Sequence, residues 1–382
     1  MRLALIRQRY AQDGGAERFV ARALEALKGQ EVQVTLITRE WVPVEGVEVI
    51  ALNPFYLGRL WRDWSFARAV CRLLCTRRFD LVQSHERIAC CDIYRAGDGV
   101  HREWLAQLKR VRGPLGRLGL AINPYHRYVQ WAEKKLFTSS QLKAVICNSQ
   151  MVREEIEHHF AVPKEKLHVI YSGVETAAFH PRVKAERGAV RARYGIPEDA
   201  TLFVFVGSGF ERKGVGVLLE AMAQLPASAY LVVIGRDRSL ARYRRRASRL
   251  GLAERVLFLG RQADVRPYYG AADALVLPTL YDPFPNVALE AMASGLAVIT
   301  STKCGAAELI ESGSNGFVCD ALDDAALAGH MRVLADPATV SRMGSAARQL
   351  GESLSLEQMS RNMVALYQSL LKDARSAVSA PA

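Results

Sequence analysis

No stretch of this 382-residue chain approaches the roughly 18 uninterrupted apolar residues that a membrane-spanning helix needs. The apolar run after Arg2 stops at Arg7, too brief for the core of a secretion signal, so a cytoplasmic chain is expected. The seven cysteines, at 71, 75, 90, 91, 147, 304 and 319, form no Cys-x-x-Cys pair and no zinc spacing, and their number is odd. Reduced thiols in a cytosolic compartment are expected from that usage. Acidic residues are the scarcer sign, 39 against 51 Lys and Arg, giving a net charge of +12 and a pI near 9.5. The excess points to anionic partners: nucleotides, phosphorylated glycans, nucleic acid or a membrane surface. Charge alone does not choose among them. There is no internal repeat and no low-complexity segment.

What is present is apolar bulk, 50% of residues, which excludes disorder over a length too great for one ordinary core. Two α/β domains are the natural expectation. Residues 3–6 read as a strand, Gly14-Gly15 as a tight turn, 16–27 as a helix with apolar residues at helical spacing, and 32–38 as a second strand. This βαβ opening predicts a parallel sheet with right-handed crossovers, in which ligands bind beyond the carboxyl ends of the strands. Further strands are expected at 79–85, 89–94, 144–149 and 167–170, with a helix over 150–159.

Residues 201–206 form a strongly β-prone run ending at Gly207-Ser208-Gly209-Phe210-Glu211-Arg212-Lys213-Gly214, ahead of a helix expected over 215–225. A glycine-bearing loop between strand and helix admits a ligand close to the backbone and presents helix-start N–H groups to an anion. Arg212 and Lys213 add two full positive charges there. Cations at a helix start oppose the helix dipole, so a bound anion explains them better than a solvated surface does. Two familiar nucleotide loops are excluded: Arg212 occupies the third glycine of G-x-G-x-x-G, and it also replaces the second glycine of a Walker A loop, where Gly214 replaces the Ser/Thr.

Residues 274–278 read as a buried parallel strand leading into Tyr281-Asp282-Pro283-Phe284-Pro285-Asn286-Val287-Ala288-Leu289-Glu290. Pro283 and Pro285 keep the loop out of helix, Asn286 is a capping residue, and Gly295 ends the helix that starts near it. The N–H groups of Asn286 and Val287 thus face a site suited to phosphate. A carboxylate aimed at that phosphate would repel it. Asp282 and Glu290 are therefore read as acceptors for hydroxyls of a sugar or a ribose.

This pair of strand–loop–helix units resembles the donor site of retaining GT-B glycosyltransferases of family 4, whose signature is two acidic residues with seven between them. The resemblance covers nearly the whole chain. Asp282 stands where the family usually has Glu, which shortens that arm. The resemblance implies an α/β protein of GT-B fold, two Rossmann-like parallel-sheet domains facing a cleft. Residues 1–180 would bind the acceptor and 181–355 the donor, with a hinge in the polar stretch 181–199. A helix over 356–372 would cross back to the first domain, followed by a flexible tail at 373–382. Residues 171–176 are similar to the family's linker.

By the same resemblance, Gly14, Gly15 and Gly207 lie near the donor phosphates, Arg212 and Lys213 neutralise the departing diphosphate, Asp282 holds the donor sugar and Glu290 the ribose. Arg261 marks the base-binding edge. Ala96-Gly97-Asp98 resembles the segment that carries an important Asp in lipopolysaccharide core glucosyltransferases, so Asp98 is expected to orient or deprotonate an acceptor hydroxyl. Many other glycosyltransferases hold a metal with Asp-x-Asp, and no such triplet occurs here, so neither metal nor cofactor is expected.

From 101 to 137 aromatic and basic residues interleave. His101, Arg102, Trp104, Lys109, Arg110 and Arg112 are candidates for a face that meets a lipid-linked acceptor or an anionic membrane. An ordinary amphipathic helix with snorkelling cations is the plain alternative. No RRM, OB or KH signature accompanies the mixture, and no nucleic-acid partner is expected. The full expectation is transfer of a hexose from UDP-glucose or a related UDP-sugar to a lipopolysaccharide core glycan, at the inner face of the cytoplasmic membrane. Two other readings stay open: a nucleotide-sugar epimerase or hydrolase on this architecture, and a non-enzymatic protein that binds anionic membrane or nucleic acid through 102–135.

Overall fold

Apolar runs such as Leu3–Ile6 and Ala144–Cys147, buried along their whole length, can only be central strands covered on both faces. In the computed structural model, which describes residues 1–8, 33–40 and 47–379 and side chains as far as 372, they are. The chain divides into two units, 1–172 with 357–382, and 173–356.

The first unit is a seven-stranded sheet in the order β3-β2-β1-β4-β5-β6-β7, every pair parallel. Its strands are β1 (Arg2–Ile6), β2 (Gln33–Thr38), β3 (Glu48–Ala51), β4 (Leu81–Ser84), β5 (Ile93–Arg95), β6 (Ala144–Cys147) and β7 (Leu167–Val169). Helices α1 (Gly58–Thr76), α2 (His101–Arg110), α3 (Pro114–Ile122), α4 (Pro124–Phe137) and α5 (Gln150–Phe160) complete this part. Strand order reverses between β1 and β4, which places the ligand crevice of such a sheet beyond Ile6 and Ser84. Gly14, Gly15 and the helix expected over 16–27 lie outside the described residues.

The second unit repeats the design with six parallel strands ordered β10-β9-β8-β11-β12-β13. They are β8 (Thr201–Val206), β9 (Ala229–Ile234), β10 (Val256–Gly260), β11 (Ala274–Leu277), β12 (Ala297–Ser301) and β13 (Gly316–Cys319). Around them run α6 (Arg187–Arg193), α7 (Val215–Ala223), α8 (Leu240–Arg249), α9 (Arg266–Ala271), α10 (Asn286–Ala293), α11 (Asp324–Val333) and α12 (Pro337–Ser353). Here the order reverses between β8 and β11, the two strands that lead into the glycine-bearing loop and the Asp282 loop. Phe203, Phe205, Leu218, Leu219 and Met222 anchor the core that joins β8 to α7.

Three expectations are revised. The units part at 172/173, not at 180/181, and the polar stretch 181–199 belongs to the second unit: α6 within it buries Val190 and Arg191 against that unit. The tail expected beyond 372 is helix as far as Ser379 in α13 (Leu356–Ser379), in keeping with its alanine content. Helix α13 joins the first unit through Tyr367, whose hydroxyl donates to Gln83 Oε1 at 2.7 Å. Finally, Cys71 on α1 and Cys90 before β5 form a disulfide, where reduced thiols are expected from cysteine usage. Their separation of 19 residues matches no known motif; it is the packing of α1 across the sheet that brings their Cα atoms to 5.8 Å.

Candidate functional site

The loop after β8 is held before it reaches its charged residues. Phe210 is buried, packs edge-on against Phe205 at 5.9 Å, and its N–H donates to Asp237 Oδ2 at 2.7 Å. Beyond that anchor the chain runs against the end of β11. Gly214 makes the approach possible: at φ 77° a side chain there would place Cβ 1.9 Å from the Pro278 carbonyl oxygen. The two loops are then laced together, since the Arg212 carbonyl accepts from Leu280 N at 2.8 Å and from Thr279 Oγ1 at 3.0 Å.

Across this seam the charged groups converge. Asp282 Oδ2 accepts from Arg212 Nη1 at 3.0 Å and from Lys213 Nζ, and Arg212 Nη1 also donates to the Tyr281 carbonyl at 3.1 Å. Lys213 is nearly buried, its side chain 8% exposed against 38% for Arg212. The lysine stem passes over Gly207, where an added Cβ would touch Lys213 Cε at 3.4 Å. Burial works to raise the Asp282 carboxyl, yet Lys213 and Arg212 together hold it below the usual carboxylate range. At neutral pH the group is therefore ionised, and two cations share one carboxylate.

Helix α10 starts at Asn286, as its prolines require, but its N-cap is Pro285 and no side chain caps it. Asn286 is thus the first helical residue instead of the cap. Glu290, one turn further, is buried and accepts from Tyr269 Oη at 3.2 Å. Tyr269, fully buried on α9, has an apolar setting and no motif to single it out; only its hydroxyl in a core position hints at a partner. Arg261 lies exposed just beyond β10.

The first unit assembles a second polar cluster. Asp98 is exposed, 63% by side chain, with Arg87 Nη1 at 3.5 Å. Arg87 Nε donates to Glu133 Oε1 at 2.9 Å, and that oxygen also accepts from His101 N at 3.0 Å. His101 Nε2 lies 3.0 Å from His126 Nδ1. His101, expected on an exposed face, is instead buried at the start of α2 by Glu133 and His126. Arg102, Lys109 and Arg110 are exposed, Trp104 and Arg112 half-buried. Arg87, Glu133 and His126 carry no recognisable spacing, and sequence reasoning passes over them.

These histidines make acid stability predictable. Burial, with Arg87 and His126 nearby, pushes His101 down to about 3, and burial with Arg95 and Arg7 pushes His85 well below its ordinary value. Both stay neutral in the folded chain while each takes a proton near pH 6.5 once unfolded. The unfolded state then binds more protons, so stability is lost as pH falls below about 6.5, by up to ~1.4 kcal/mol per unit for each group. The urea midpoint should fall between pH 6.5 and 5, and His101→Asn should make that slope shallower. An unchanged slope in the variant would remove His101 from the account.

Residues 13–178 match the family described as Glycosyltransferase Family 4, and residues 186–350 match Glycosyl transferases group 1. The chain is similar to the lipopolysaccharide glucosyltransferase WaaG of Escherichia coli, 29% identical over 244 residues, 63% of this chain and 63% of that protein. It is also similar to the lipopolysaccharide core biosynthesis glycosyltransferase LpsE of Rhizobium meliloti, 27% identical over 360 residues, covering 93% and 94%. A D-inositol 3-phosphate glycosyltransferase of Streptomyces avermitilis is 33% identical over 224 residues, 54% of this chain, and the chain spans about half that relative's length, 48%. Among solved structures, that of WaaG superposes with a TM-score of 0.83 at 23% identity, covering 96% of this chain and 99% of the other. Two parallel-sheet units of this kind are the GT-B fold.

Proposed function

The chain belongs to glycosyltransferase family 4, and from that premise we propose that it moves a hexose from a nucleotide sugar to a glycan acceptor with retention of anomeric configuration. The observation that carries this reading is the convergence of Arg212 and Lys213 at the carboxyl ends of β8 and β11, beside the start of α10. Departure of a nucleoside diphosphate builds up negative charge on its terminal phosphate, and fixed cations with little exposure to water stabilise it most. In this reading they act where other transferases use a metal, so transfer is metal-independent. Glu290, oriented by Tyr269, holds the ribose hydroxyls, and Asp282 the donor sugar. Asp98, exposed in the first unit, is the candidate for orienting the acceptor hydroxyl.

UDP-glucose or a related UDP-hexose is the donor we favour and lipopolysaccharide core the acceptor, supported by the relatives named above. The test is thermal stabilisation across UDP-, GDP- and ADP-sugars, because a ligand of the folded state alone raises the melting point. No response to any of them would defeat the reading. Incubation with UDP-sugar alone, followed by product analysis, separates a transferase from an epimerase or hydrolase.

We also propose that the enzyme works at an anionic membrane. Among the described residues no helix is long and apolar enough to cross one. Helix α3, however, buries none of its residues: Leu115 is 87% exposed, Leu118 59% and Ile122 66%, all on one face by their spacing. Lys109, Arg110 and Arg117 flank them. Such a helix lies in the headgroup region with its apolar face down. The Leu115→Asp/Leu118→Asp double variant should bind vesicles containing anionic phospholipid at least about tenfold more weakly, each leucine contributing ~1 kcal/mol or more. Equal co-sedimentation of variant and parent would exclude α3 from the contact.

A further inference from the structure

We propose that in the nucleotide-free protein Asp282 occupies the place of the donor's diphosphate as the counter-ion of Arg212 and Lys213, and that the arriving diphosphate displaces its carboxylate, freeing it for hydroxyls of the donor sugar. This inference rests on the donor-site reading above and adds an order of events to it.

The geometry leads there in three steps. Both cations bond the same oxygen, Oδ2, so they are already aimed at one point, as they would be for an oxygen of a phosphate. A diphosphate bonded to those two cations would meet the carboxylate within hydrogen-bond range, and two anions so close repel strongly where water is scarce. One of them must leave. The diphosphate carries more charge and more acceptor oxygens, and it suits both the forked guanidinium and helix-start N–H groups, so the carboxylate is the one to go.

Its departure needs no movement of the loop. The Asp282 backbone is fixed on both sides, its N–H donating to Lys303 O at 3.0 Å and its carbonyl accepting from Gly305 N at 2.8 Å. Arg212 is likewise fixed to Thr279 and Leu280 through its carbonyl. What remains free is rotation of the aspartate side chain between staggered positions. The carboxylate is ionised before exchange, held so by the two cations against its burial, so no proton has to move. Sugar recognition is thereby made conditional on the diphosphate: until it arrives, the group that grips the sugar is engaged elsewhere.

Calorimetric titration with inorganic pyrophosphate, UDP and UDP-glucose, on the parent protein and on Asp282→Asn, tests this. Without the competing carboxylate the variant should bind pyrophosphate and UDP more tightly, by about tenfold or more, as for one charge-assisted hydrogen bond no longer broken. It should also lose any preference for UDP-glucose over UDP. Pyrophosphate binding that is unchanged or weaker in a natively folded variant would overturn the exchange. A crystal structure of the parent with UDP gives the second measurement: Asp282 off Lys213 supports the exchange, and Asp282 still bonded to Lys213 beside a bound diphosphate overturns it. A parent that binds neither pyrophosphate nor any uridine nucleotide would overturn the donor-site reading itself.

Discussion

Lys213→Ala should lower the rate of sugar transfer by roughly a few hundredfold, the cost of removing one preorganised charge stabiliser, while leaving the protein folded. The size of the effect follows from where the ammonium sits. Its stem lies over Gly207 and its side chain is 8% exposed, so water can replace it only poorly, whereas Arg212, at 38%, is partly screened. Arg212→Ala should therefore be the milder variant. Folding survives because Asp282, left by Lys213, still has Arg212 Nη1 at 3.0 Å, and because the loop is fixed by Phe210 and the backbone of Arg212 instead of by the lysine. Turnover with saturating donor, alongside a thermal melt, is the measurement. If transfer persists at the parental rate, the cation has no part in catalysis, and a non-enzymatic role for this basic protein regains ground.

Much of the second unit is legible in the amino-acid sequence because its chemistry is local. Strand β8, the loop to Gly214, strand β11 and the start of α10 at Asn286 follow from β-prone runs, glycines and prolines within a few residues of one another. What the sequence does not disclose depends on distant pairs. Asp282 lies 70 residues from Arg212, and no spacing says that they share a bond. Tyr269 reads as core and is core, yet its hydroxyl meets Glu290. The edge strand β3 is largely exposed and short, and its apolar run Val49-Ile50-Ala51 after Glu48 is too brief to separate a strand from a loop. His101 reads as surface from its basic neighbours, and Glu133, 32 residues on, draws it inward. The Cys71–Cys90 bridge belongs to the same class, set by helix packing and silent in sequence.

Arg191 is the other residue whose loss should be large, and it acts at the opposite end of the same strands. Fully buried on α6, it donates to the carbonyls of Pro197 at 2.8 Å, Glu198 at 3.1 Å, Ala200 at 2.8 Å and Ala271 at 3.2 Å, and to Asp273 Oδ2 at 3.1 Å. That carboxylate oxygen also accepts from Leu202 N at 2.7 Å. One guanidinium thus ties the amino ends of β8 and β11, whose carboxyl ends bear Arg212, Lys213 and Asp282. Arg191→Met replaces the volume but leaves buried acceptors without a donor and Asp273 with only Arg187, at 2.9 Å, as its cation. Breaking a buried pair from one side costs about 3–5 kcal/mol, and a domain of this size should melt roughly 10 °C lower. Lysine would not restore it, because a single ammonium cannot reach acceptors spread around a planar fork. Arg187→Leu, at a site 32% exposed by side chain, should cost far less. The informative comparison is pyrophosphate affinity below the melting point: an Arg191→Met protein that binds as the parent does places the residue in the frame of the sheet alone. Weakened binding by a fully folded variant would mean that the tie at one end of β8 and β11 sets the spacing of the cations at the other.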